Sequence, residues 1–202
     1  MKTYSVLIAL FTTVVLLSAC KKEEPQSQPI ANVLTNGDFE ATPYQDWTTN
    51  LGKTSTTKPN TYSVSYSTEA ASSPSHSIKV ICSAAPDDTT YQFMQQVLYM
   101  GTTPIPAGAK LTMKVKIKTV NVQGNGISLA LGGNLGASAN YAPAFYTSTE
   151  GKTSIVGTQE FTEYSLTFDS FPANMYSMYV LLFFLPKTTG TAYYDDVSLR
   201  VN

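Results

Sequence analysis

Charge and reactive side chains are scarce in this 202-residue chain: 13% of its residues are charged, His and Trp occur once each, and Cys occurs twice. With 13 basic and 14 acidic side chains and a formal net charge of −1, no Lys/Arg run offers a footprint for a phosphate backbone, which excludes nucleic acid as a partner. One His and two Cys cannot build a Cys/His zinc cluster of ordinary spacing. No internal repeat marks a propeller or a solenoid. The chain also lacks a Gly-x-Ser-x-Gly elbow, a His-Glu-x-x-His pair and a phosphate loop. Glycoside hydrolysis needs two carboxyl groups about 5 to 9.5 Å apart across a cleft. Acids are present at Asp87, Asp88, Glu150, Glu160 and Glu163, but no motif gathers them, and Asp87-Asp88 follows Pro86 in a turn. The sequence therefore reads as a non-enzyme.

What the chain does hold is 20 Ser, 27 Thr, 13 Tyr and 9 Phe, with 43% hydrophobic residues. That is enough apolar material for a packed core, and its Thr- and Tyr-rich character favours β-structure. The N-terminus reads separately. Lys2 begins a positive n-region, Val6 to Leu17 is apolar, and Leu17-Ser18-Ala19-Cys20 follows. The apolar run is shorter than the roughly 20 residues of a membrane-spanning helix, so a cleaved segment is expected. These residues resemble a bacterial lipoprotein signal peptide with its lipobox. The resemblance implies cleavage after residue 19, lipid on Cys20 and a membrane attachment through it. Residues 20–30, Lys21-Lys22-Glu23-Glu24-Pro25 among them, are polar and Pro-punctuated, as in a flexible tether. A short charged run directly after the lipidated Cys resembles the surface-export signals of lipoproteins of some Gram-negative bacteria, which implies an outer-membrane, cell-surface location. With Cys20 lipidated, Cys82 has no disulfide partner and reads as a small hydrophobe in a strand.

From about residue 31 the pattern is of short strands punctuated by Gly, Pro, Asn and Asp. Leu111, Met113, Val115 and Ile117 alternate with Thr112, Lys114, Lys116 and Lys118, and Tyr164, Leu166 and Phe168 alternate with Ser165 and Thr167. The same reading places strands at 192–201 and near 32–41, 62–67, 76–83, 90–99, 126–132 and 175–185. Nine short strands without an amphipathic helix predict an all-β fold, an antiparallel β-sandwich, as one domain over 31–202. Val180 to Leu185 is apolar on both faces, so one face meets the core and the other lies under a loop, a ligand or a partner. The connection from Gly132 to Ser148 is long and aromatic, the kind of segment that carries function. Lys114, Lys116 and Lys118 form a basic strip that reads as a solvated sheet face.

Asn36-Gly37-Asp38-Phe39-Glu40 with Trp47 seven residues on, Ser75-His76-Ser77-Ile78-Lys79-Val80, Ala107-Gly108-Ala109-Lys110-Leu111-Thr112 and Tyr193-Tyr194-Asp195-Asp196-Val197-Ser198-Leu199 occur in this order. Together they resemble the jelly-roll carbohydrate-binding modules of families four, nine and twenty-two, within the galactose-binding-like fold, over residues 31–202. The resemblance implies two flat antiparallel sheets, a structural calcium near the paired chain ends and a sugar site on the concave face or in the loops at one end. Its motifs carry the calcium ligands over to Glu40 and Asp195, with Asp38 and Asp196 behind them. The alternative for these acids is that they cap turns or face solvent. A hard cation of this kind takes six to eight oxygens. Sugars offer apolar C–H faces and rings of hydroxyls, so a stacking aromatic beside an amide or carboxylate is the expected site. The candidates are Tyr91, Gln96, Tyr141, Phe145, Tyr146 and Tyr179, with Tyr99, Tyr176, Gln92, Gln95 and Asn140 also in view. Trp47 reads as core and His76 as structural. The expected function is a lipid-anchored, non-catalytic module holding polysaccharide or oligosaccharide at the cell surface. Two alternatives stay open: an adhesion or assembly module with an envelope protein partner, and a small glycoside hydrolase.

Overall fold

The computed structural model describes residues 32–41, 45–50, 62–84, 89–137 and 143–202. The leader, Cys20, the tether, Asp87, Asp88, Asn140 and Tyr141 lie outside the described residues. The elements are β1 (Thr48–Thr49), β2 (Tyr62–Ser67), β3 (Ser77–Cys82), β4 (Gln92–Tyr99), β5 (Leu111–Asn134), β6 (Phe145–Ser148), β7 (Ile155–Phe168), β8 (Ser177–Phe184) and β9 (Thr189–Val201). All paired strands are antiparallel. The fold is a jelly-roll β-sandwich, as expected.

The 24-residue β5 organises it. Its first half pairs with β9 and β7, and its second half pairs with β8 and β6. One sheet thus reads β1-β4-β8-β5-β6 and the other β2-β3-β9-β5-β7. The sequence suggests two strands here, 110–119 and 126–132, separated by Gly and Asn. In the structure Asn121, Gly124 and Gly126 take φ of 51°, 88° and 85°, so the backbone changes direction through bulges and returns to the ladder.

Between the sheets lies one core. Leu111, Met113, Val115 and Ile117 point into it, as their alternation requires, and meet Met94, Leu129, Val180, Leu182 and Phe184 from the opposite sheet. Cys82 is buried among them, its thiol donating to the carbonyl of Ala84 at 3.1 Å. The opposite side of the first half of β5 carries the lysines. Lys114 pairs with Glu163, Lys116 with Asp196 and Lys118 with Glu160, so the basic strip is neutralised pairwise.

Residues 32–41 are not the strand the sequence suggested. Asn36 and Phe39 have φ of 48° and 54°, left-handed values that break a regular extended strand. The segment instead runs beside the end of β9, with Val33 N donating to Leu199 O at 3.0 Å and Val197 N to Gly37 O at 2.8 Å. Phe39 turns inward against Trp47, ring centroids 5.3 Å apart, and the indole N–H bonds the carbonyls of Thr35 and Asn36. Trp47 is core, as its place in the motif suggested.

Candidate functional site

Directly paired residues of an antiparallel sheet share a face. The register of the first sheet therefore assembles its outward surface row by row. Tyr146, Gly132, Tyr179 and Val97 form one row across β6, β5, β8 and β4. Ser148, Ala130, Leu181, Gln95 and Thr48 form the next. Ser128, Phe183 and Phe93 lie on one side of these rows, and Asn134, Ser177 and Tyr99 on the other. No position in these rows is charged.

Aromatic rings occupy this face in three groups. Tyr91, Phe93 and Phe183 cluster at one end, with centroids 5.8 to 6.2 Å apart. Tyr99 and Tyr176 meet edge to face at 5.8 Å at the other end. Tyr146 and Tyr179 stand between. Tyr91, Tyr99, Tyr146 and Tyr176 are 40%, 51%, 48% and 44% exposed, high values for rings of this size. Burial raises the hydroxyl pKa of both Tyr146 and Tyr179, and the charges of Glu150, Tyr179 and Tyr91 add to the rise at Tyr146. Three of the expected candidates, Tyr91, Tyr146 and Tyr179, are thus brought together from elements far apart in sequence.

Gly132 explains how Tyr179 sits. A Cβ at residue 132 would fall 2.4 to 2.6 Å from the Cε2, Cζ and hydroxyl oxygen of Tyr179. The phenol therefore lies across the bare backbone of β5, and no larger residue leaves room for it. Beside it, Gln95, Val97, Tyr99, Asn134, Tyr176, Ser177 and Tyr179 line an open cavity of about 360 Å³. This is the mixture of stacking surface, amides and hydroxyl that a polyhydroxylated ring can use.

Two expected site residues are elsewhere. Gln96 faces inward, 3% exposed, accepting from Thr35 N at 2.9 Å and donating to Thr35 O at 2.8 Å. Its neighbour Gln95 occupies the open face instead, because β4 alternates and its even-numbered residues are the buried ones. Phe145 packs into the core against Phe168, stacked at 4.6 Å, and edge-on to Phe171. Tyr146, expected in a loop, belongs to β6. The sequence reading did not single out Phe93, Phe183, Asn134 or Gly132. The signal was the apolar pattern on both faces of β8, which marks one face as covered or in use.

The acids form a different structure. Asp195 is fully buried. Its Oδ2 accepts from Ser72 N at 2.6 Å and Ser73 N at 3.0 Å, and its Oδ1 from Asp196 N at 2.7 Å. Burial outweighs those bonds and pushes its pKa up to about 6. Asp196 accepts from the Ser72 and Ser73 hydroxyls and lies 2.9 Å from the Lys116 ammonium. Against a burial penalty, these partners hold it below the usual carboxylate range. Glu40 accepts from Ser75 N, Ser75 Oγ and His76 N, and His76 Nδ1 stands 2.7 Å from its Oε2. Burial opposes ionisation there too, but the four partners lower its pKa to about 2. His76 also stacks on Tyr66 at 4.3 Å. Asp38 accepts from Glu40 N at 3.3 Å through its Oδ1 and borders one open cavity with Asp196.

The expected calcium needs several free oxygens converging on one point. Here the carboxylate oxygens of Glu40, Asp195 and Asp196 face N–H groups, hydroxyls and an ammonium. Among the described residues, no three His, Cys, Asp or Glu side chains converge to hold a metal. As folded, this donor set does not fit the ion; it closes the 72–76 loop onto the opening motif and β9.

No protein-family model and no curated protein matches the sequence. Solved structures do match in shape. A CBM4 module superposes with a TM-score of 0.55 at 16% identity, covering 83% of this chain and 99% of that one. The C-terminal family 22 carbohydrate-binding module of Clostridium thermocellum Xyn10B gives 0.50 at 18% identity, covering 85% and 93%. The enzymatically active domain of bacteriophage CBA120 tailspike protein 4 gives 0.61 at 14% identity, and this chain, matched over 85% of its length, spans 22% of that larger one. The sandwich with its bent shared strand β5 is therefore the jelly-roll fold of the carbohydrate-binding modules.

Proposed function

We propose that this protein is a non-catalytic carbohydrate-binding module that takes a polysaccharide or oligosaccharide on the open face of the β1-β4-β8-β5-β6 sheet. The observation that carries this reading is the face itself: three aromatic groups along uncharged rows, with Gln95 and Asn134 beside them. Apolar rings left at 40 to 50% exposure on a sheet surface forgo burial, which a ligand presenting C–H faces restores. The resemblance of the fold to glycan-binding modules supports the same reading. The test is native affinity electrophoresis through gels containing xylan, β-1,3-glucan, β-1,4-galactan or a host glycan. Retardation in at least one gel is expected. Uniform mobility of folded protein in all of them would remove the proposal and favour the adhesion reading.

The module is proposed to be tethered to the outer membrane of a Gram-negative bacterium through lipid on Cys20 and displayed at the cell surface. The Leu17-Ser18-Ala19-Cys20 order supports this. Replacing Cys20 by Ser should move the protein from the membrane fraction to the soluble one; unchanged fractionation would refute it.

The acids of the opening and closing motifs are proposed to act as a hydrogen-bonded clasp and to hold no calcium. What supports a reading without the ion is that Ser72, Ser73, Ser75 and Lys116 already engage these carboxylates. Titrating calcium into chelator-treated protein should give no heat and leave Tm unchanged, whereas a rise in Tm would show a site.

A further inference from the structure

Beyond Phe183 the open face of β8 does not end. Leu185, next in the alternation after Tyr179, Leu181 and Phe183, helps to line an open cavity of about 430 Å³ with Asn125, Glu150, Lys152, Thr153 and Ser154. That volume lies in the range of small-ligand sites. Both walls are held by backbone bonds. On one side, the turn after β6 is closed by Lys152 N and Thr153 N donating to Thr149 O at 3.0 and 2.9 Å, and Thr149 N bonds Leu129 O at 3.0 Å. On the other, Leu185 N bonds Gly126 O at 3.0 Å, and Gly126 N bonds the Thr188 hydroxyl at 2.8 Å.

Most lysines and glutamates of the described structure are ion-paired, but those around this cavity are not. Lys79, Lys110, Lys114, Lys116 and Lys118 each hold an ion pair, as do Glu40, Glu69, Glu160 and Glu163. Glu150 and Lys152 hold none, though they carry opposite charges and border one cavity. Their polar heads are open to a ligand, together with an amide and two hydroxyls, over the apolar floor of Leu185. Carboxylates and ammonium groups make stronger hydrogen bonds to hydroxyls than neutral groups do. Glu150 lies two residues after β6, whose Tyr146 belongs to the aromatic face, so this cavity borders that face.

We propose that this cavity is a second, polar subsite that receives one sugar unit of the glycan whose neighbouring units lie on the aromatic face. Tyr91, Phe93, Phe183, Tyr146 and Tyr179 bind by stacking and need little from hydroxyl orientation. The subsite, in contrast, reads hydroxyls with Glu150 as acceptor and Lys152 as donor. From Tyr179 to Leu185 is six residues of strand, about 20 Å at roughly 3.3 Å per residue. Affinity then depends on ligand length: a short oligosaccharide fills the aromatic face alone, and a longer one also reaches the subsite.

This inference rests on the proposed glycan site, and the experiment separates the two. Affinities of the wild-type protein are measured by calorimetry for xylo-, cello- and galacto-oligosaccharides of two to six units, alongside Glu150→Gln, Lys152→Met and the double variant. Both positions are exposed, and unchanged Tm values confirm that the variants fold. In the series that binds, the wild type should gain about tenfold or more between short and long members, and the double variant should lose that gain while binding the short members as before. Equal length dependence in the wild type and double variant overturns the subsite and leaves the aromatic face standing. No binding of any series by the wild type takes down both readings.

Discussion

Replacing Tyr179 by Ala should abolish retardation in whichever polysaccharide gel slows the wild type, and should weaken calorimetric affinity at least thirtyfold while leaving the protein folded. Tyr179 is central to the open face, between the Tyr91 and Tyr99 ends, and its ring is laid flat by the absence of a side chain at residue 132. A central aromatic of a binding face costs about 2 kcal/mol or more on truncation, and the loss of Tyr179 also removes the wall shared with the cavity of Gln95 and Asn134. Gly132→Ala supplies the complementary result. Its Cβ would collide with the ring and lift it, so binding should fall in the single variant and fall no further when Gly132→Ala is added to Tyr179→Ala. Such non-additivity marks two residues acting through one structure. If Tyr179→Ala binds like the wild type, the open face is not the site.

Trp47→Ala should be the most destabilising single truncation in the opening motif, at about 3 to 5 kcal/mol. The indole is 2% exposed, packs on Phe39, and its N–H satisfies two carbonyls of the turn at Thr35 and Asn36. Truncation leaves both a cavity and carbonyls without their donor. Urea unfolding should show a lower midpoint with an unchanged slope. For a domain of this size the corresponding fall in Tm is on the order of 10 °C. A loss below about 1 kcal/mol would mean that the 32–47 segment is not integral to the core, and that Trp47 is available for another role.

The two experiments address different layers of the molecule, and the contrast bears on how a sandwich of this kind divides its aromatic residues. Phe39, Trp47, Phe145, Phe171 and Phe184 are spent on the core. Tyr91, Tyr99, Tyr146 and Tyr176 stay at the surface. Among these residues, the tyrosines carry a hydroxyl that water or a sugar can satisfy, so exposing them costs less than exposing a phenylalanine. The two phenylalanines on the open face, Phe93 and Phe183, are half-buried in a cluster with Tyr91.

Scarcity of charge and of reactive side chains argued by itself against nucleic acid and zinc clusters, and the sequence carries none of the common catalytic motifs. Period-2 patterning was sufficient to give an antiparallel sandwich, because burial of one sheet face writes directly into the spacing of Leu111, Met113, Val115 and Ile117. The two-sided apolar pattern of Val180 to Leu185 also announced a second surface. What occupied that surface was beyond the sequence. Alternation names two faces of a strand without saying which one packs, and β4 offers Gln95 and Gln96 in succession. Only the pairing of β4 with β8 and the contact of Gln96 with Thr35 turn one amide into structure and leave the other at the surface. Likewise the acids near the chain ends could be counted from the sequence, but their partners could not, since Ser72 and Ser73 reach Asp195 across more than 120 residues. Local chemistry determined the class of fold and the kind of residues available for binding. The long-range register of β5, β6 and β8 decided which rings share a face, because neighbours in a sheet are set by hydrogen-bonded pairing rather than by proximity along the chain.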